Sequence, residues 1–149
     1  MGQVVRFAPL LLLLLSAQSP AQTAEARTGE LVVTQAWSRP TPPTATVAAV
    51  YFSIKNSGSK ADQLVALSSP IAAKVEMHES RNEQGVLKMR ELTSLPCPAG
   101  ATMVSEPGGL HVMLIGLNRP LAAGMVFPVS LRFRDAGTLT LQVAVLNHE

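Results

Sequence analysis

Val126-Phe127-Pro128-Val129-Ser130-Leu131-Arg132-Phe133, then Ala136-Gly137, then Thr138-Leu139-Thr140-Leu141-Gln142-Val143-Ala144-Val145-Leu146, is the stretch whose reading decides the fold class. Two short aliphatic and β-branched runs flank a turn signal, which reads as strand, turn, strand. The same texture continues towards the N-terminus. His111 to Leu117 follows Pro107-Gly108-Gly109, where Gly supplies positive φ after a Pro-fixed residue. Ala101 to Val104 precedes that turn, and Gly85 separates Lys74–His78 from Val86–Leu92. Gln63 to Leu67 and Val47 to Ile54 come earlier, the latter apolar around Tyr51 and Phe52 and ending at Asn56-Ser57-Gly58. Leu31 to Trp37 opens the series and Pro40-Thr41-Pro42-Pro43 breaks it. After the N-terminal leader no window sustains an apolar i, i+3, i+4 pattern. The expectation is an all-β chain of about nine short strands, a Greek-key sandwich or barrel. Trp37 and Tyr51 read as aromatic anchors of its core.

The 149 residues suit one domain. Lys+Arg 12 against Asp+Glu 10 leaves a net charge of +2 with no basic run, which argues against a nucleic-acid partner. A single Cys excludes an intramolecular disulfide and a multi-cysteine zinc site. The mean hydropathy of +0.25 is concentrated at the start of the chain. There Arg6, the apolar run Leu10 to Leu15 and the small residues to Ala21 read as a secretory signal peptide, residues 1–21. Cleavage after Ala26 also satisfies the small-x-small preference; the site after Ala21 lies closer to the leucine run. A spanning helix needs roughly 20 apolar residues; this run is shorter and contains Pro9, so no stable membrane insertion is expected. No Cys stands just after that run, which argues against a lipid anchor. Residues 22–30 read as a flexible segment and 31–149 as the folded domain.

Two histidines and two methionines carry the chemistry. Ten residues separate His78 from Met89, and twenty-one separate Met89 from His111, with Met113 at i+2 from that histidine. On a strand, i and i+2 share a face about 7 Å apart, so His111 and Met113 can close onto one ion. Imidazole and thioether form a soft, neutral donor set suited to Cu(I) and poorly suited to magnesium, calcium or manganese. A Met on a strand is ordinarily core filler, so His-x-Met alone assigns nothing. Met77 beside His78 is an alternative donor, although neighbours on a strand point to opposite faces. Cys97, between Pro96 and Pro98, reads as a small packed residue in a loop rather than in a central strand.

The full spacing resembles the copper motif of the PCu(A)C family of periplasmic copper chaperones. Further stretches carry the likeness: Ala36-Trp37-Ser38-Arg39-Pro40, Ala49-Val50-Tyr51-Phe52-Ser53-Ile54-Lys55-Asn56, Val75-Glu76-Met77-His78-Glu79, Gly85-Val86-Leu87-Lys88-Met89-Arg90 and Pro107-Gly108-Gly109-Leu110-His111-Val112-Met113-Leu114. It runs from about Leu31 to Leu146. The resemblance implies a cupredoxin-like Greek-key fold with Cu(I) held by His78, Met89, His111 and Met113. It further implies a supply of copper to the CuA-bearing subunit of cytochrome c oxidase beside a Sco-type thiol protein. Separately, a monomer is expected. The His- and Met-rich C-terminal extension of some members has no counterpart in Asn147-His148-Glu149.

Other classes compete. A periplasmic copper buffer for tolerance would use the same ligands without an oxidase acceptor. A blue-copper carrier needs a thiolate close to the downstream His and Met, whereas Cys97 lies fourteen positions before His111. No nucleophile–base pair marks a hydrolase, and no enzyme activity is expected.

Overall fold

Alternation of apolar and polar residues turns into alternating burial in the C-terminal hairpin. In the computed structural model, which describes Gly2 and residues 25–148, Phe127, Val129, Leu131 and Phe133 of one strand are buried, as are Leu139, Leu141, Val143 and Val145 of the next. The eleven strands among the described residues are β1 (Ala26–Thr28), β2 (Leu31–Ser38), β3 (Val47–Asn56), β4 (Asp62–Ser68), β5 (Ala72–Glu83) and β6 (Val86–Leu92). They continue as β7 (Leu95–Cys97), β8 (Thr102–Val104), β9 (Leu110–Leu117), β10 (Val126–Phe133) and β11 (Gly137–Val145). The all-β expectation holds, and no helix occurs among the described residues. Likewise no helix there is long and apolar enough to cross a membrane.

Hydrogen bonding runs β6-β5-β9-β3-β2-β11-β10-β4-β7, with β1 added to β2 and β8 to β3. Non-sequential neighbours such as β5–β9 and β3–β9 are the crossovers of a Greek-key arrangement. All pairings are antiparallel except β11 on β2, where Ala144 lies beside Trp37. The path folds over one core that Phe52, Ile54, Met77, Leu114, Phe127 and Leu141 share.

Two strands exceed the nine read from the sequence. β1 lies inside the segment expected to be flexible: Thr28 pairs with Leu31 across the turn at Gly29, whose φ is 54°, and the Thr28 hydroxyl donates to Ala136 O at 2.7 Å. This pairing rests on backbone hydrogen bonds and needs no apolar run. β7 pairs Cys97 with Asp62 at the end of the path, so Cys97 lies on an edge strand rather than in a loop, with Pro96 inside that strand and Pro98 just after it, where proline is tolerated. The leader, residues 1–21, lies outside the described residues apart from Gly2.

Tyr51 is buried as expected, but Trp37 is only half-buried and is not a core anchor. The β2–β3 register shifts between Thr34 and Trp37, with Gln35 at φ 58°, which is a β-bulge. One extra residue reverses the parity of the strand. Val33 and Ala36 therefore both point inward, and Trp37 turns out to stack on its cross-strand partner Tyr51, ring centroids 4.6 Å apart. His148 and the Arg39 guanidinium cover the other parts of the indole.

Candidate metal centre

The hairpin turn between β5 and β6 sets the register that positions the first donors. Gln84 and Gly85 both have positive φ (55° and 84°), the geometry of a two-residue type I′ loop, and Asn82 Oδ1 accepts from Gly85 N at 2.8 Å. With Glu83 paired to Val86, the ladder places Met89 opposite Ser80 and Glu91 opposite His78. Directly opposed residues share a face, as do residues two apart. Met89 and His78 therefore project from the same side, diagonally across two strands.

The β5–β9 ladder supplies the rest. His78 lies directly opposite His111, and Glu76 directly opposite Met113. The imidazole centroids are 5.9 Å apart at an interplanar angle of 48°. Met77 takes the other parity: it pairs with Val112 and is buried in the core. His78, Met89, His111 and Met113 thus stand on one face of three adjacent strands, with His78 as the common neighbour. Exposure rises steeply across the set. His111 is 6 % exposed, His78 and Met113 are half-buried, and Met89 on the edge strand is 56 % exposed.

Among the described residues no three His, Cys, Asp or Glu side chains gather closely enough to hold a metal ion. The thioethers of Met89 and Met113 stand on the same face as the two imidazoles, and thioether sulfur is a donor suited to Cu(I). His78 Nδ1 is buried without a hydrogen-bond partner, an orphan that a cation would satisfy.

Glu76 was missed by the sequence reading. Its carboxylate accepts from His78 Nε2 at 2.7 Å and pairs with Lys74 through the other oxygen. The hydrogen bond from Lys74, then that from His78, holds it below the usual carboxylate range against partial burial. The period-two rule that joined His111 to Met113 would have found it, since Glu76 stands at i−2 from His78. Cys97 belongs elsewhere. It is fully buried on β7, at the opposite end of the strand path from β6, and burial pushes its thiol up to about 11. It supplies no thiolate to this face.

Comparison with known proteins places the chain. Residues 31–145 match the family described as "Putative lipoprotein LpqE-like". The chain belongs to the LpqE-like family. A relative in Leifsonia xyli subsp. xyli, "Putative lipoprotein Lxx21020", is 36% identical over 131 residues, which are 87% of this chain and 75% of that one. The copper-bound PCuAC domain from PmoF2 superposes with a TM-score of 0.72 at 23% identity, over 83% of this chain and 98% of that domain, and shares the fold. The solution structure of CuI-DR1885 from Deinococcus radiodurans gives 0.59 at 26% identity, over 85% of this chain and 81% of that one. The LpqE-like chain therefore has the architecture of PCuAC domains, in agreement with the resemblance read from its motifs.

Proposed function

We propose that this protein is an exported copper chaperone that binds one Cu(I) through His78, Met89, His111 and Met113. The carrying observation is that these four donors share one face of β6, β5 and β9. Copper in the PmoF2 and DR1885 structures of the same fold supports the reading. The leucine-rich leader and the lipoprotein names of the family and relative support export to the periplasm.

The donor set is neutral and soft, so it holds Cu(I) without locking it in as thiolates would. The exposure gradient gives ligand exchange a direction. Met89 stands on an open sheet edge where an acceptor's donor atom displaces it first, and buried His111 is the last to let go. The acceptor we propose is the CuA-bearing subunit of cytochrome c oxidase, with a Sco-type protein alongside.

The test is a Cu(I) titration of the mature protein under reducing conditions, read by X-ray absorption at the copper edge. One bound ion with mixed nitrogen and sulfur scattering is expected, lost when His111→Ala and Met113→Ala are combined. Binding that survives this double substitution refutes the site. A deletion strain then separates delivery from storage. Lost oxidase activity at low copper supports delivery, and copper sensitivity with normal oxidase supports a buffer.

A further inference from the structure

The two facing imidazoles are hydrogen-bonded through different ring nitrogens. His111 Nδ1 lies 2.9 Å from Gly109 O. A carbonyl only accepts, so in the neutral ring Nδ1 carries the hydrogen and Nε2 keeps its lone pair. His78 is engaged through the other nitrogen, Nε2, 2.7 Å from Glu76 Oε2. The Lys74 ammonium lies on the second oxygen, so the oxygen facing the imidazole is the acceptor of this pair. In the neutral His78 ring this geometry puts the hydrogen on Nε2 and the lone pair on Nδ1. That is the buried nitrogen left without a partner.

We propose that Glu76 is a positioning residue: it selects the tautomer of His78 whose Nδ1, rather than Nε2, is presented to the cation. Strand alternation builds the device, because Lys74, Glu76 and His78 follow one another on a single face of β5. Lys74 anchors the carboxylate, and the carboxylate orients the ring. The site then binds through unlike nitrogens, Nδ1 of His78 and Nε2 of His111. Hydrogen-bonded partners of this kind fix ring orientation and raise ligand basicity, and their loss typically weakens metal affinity about 10- to 100-fold. The inference rests on the proposed copper reading for the identity of the cation, and its first readout needs no copper.

The experiment uses 15N-labelled apo protein at a pH where histidine is neutral, with the tautomers assigned from long-range imidazole proton–nitrogen correlations. His78 is expected as the Nε2–H form and His111 as the Nδ1–H form. Glu76→Ala should mix the two forms at His78 alone and lower Cu(I) affinity about 10- to 100-fold in competition with a chromophoric chelator. Glu76→Gln keeps an acceptor oxygen in reach and should recover part of both effects. An Nδ1–H form at His78 in the unsubstituted protein overturns the proposal. So does a lower affinity with an unchanged tautomer, or a changed tautomer with affinity within about twofold of the parent. If the parent protein binds no Cu(I), the copper reading fails, and the apo tautomers still decide whether Glu76 controls His78.

Discussion

The β10–β11 hairpin and the β5–β6 hairpin are built to opposite rules. In the first, every second side chain is buried in the core. Its connecting turn is fastened by Asp62, whose carboxylate accepts from the backbone of Asp135 at 3.0 Å and Ala136 at 2.9 Å. In the second, β6 is exposed from Val86 to Glu91, and Val86, Leu87 and Met89 leave more than half their surface to solvent. β6 is held by β5 alone and forms the open end of the path. One region makes the fold stable. The other presents donors where a partner can reach them, and elements that engage partners come from the weakly packed end of a structure.

Substitutions should separate the two regions cleanly. The largest effect belongs to the core hairpin: Phe127→Ala should lower unfolding free energy by about 3–5 kcal/mol, read by urea titration. A loss below about 1 kcal/mol would deny β10 its role in holding the core. Next comes the fastening of its turn. Burial alone would raise the Asp62 carboxyl, but the N–H groups of Gln63, Asp135 and Ala136, with Arg134, outweigh burial and hold it below its ordinary value of 3.8. As pH falls, the unfolded chain takes up this proton first, so the stabilisation is present above the ordinary value and is lost through the lower folded value. Asp62→Asn should cost about 1.5–3 kcal/mol at neutral pH. The gap between variant and parent should close below about pH 3.8 in paired acid titrations. A gap independent of pH would show that the charge is not what fastens the turn. The smallest stability effect belongs to β6, where Met89→Ala should change unfolding free energy by no more than about 0.5 kcal/mol. The same substitution should lower Cu(I) affinity at least about tenfold, or 1.4 kcal/mol. Stability loss without affinity loss would reverse the contrast between the hairpins.

Most strands were legible because their signal is local. Val126–Phe133 and Val86–Leu92 match β10 and β6 residue for residue, since aliphatic content and flanking turns lie within a few positions. The short β1 and β7 carry little apolar patterning and owe their existence to the strands they pair with. Trp37 was misplaced for a related reason. Counting by twos from Val33 puts it inside, and only the bulge at Gln35, a property of the β2–β3 pairing, turns it out.

The sequence by itself determined nine of the eleven strands among the described residues, their turns and the spacing of His78, Met89, His111 and Met113, because each depends on residue chemistry at short range. The tertiary structure alone decided that β5 lies between β6 and β9, that His78 meets His111, and that Glu76 and Lys74 stand in the same row. Register between strands far apart in the chain is set by which faces the whole core must bury, and no local pattern contains that information.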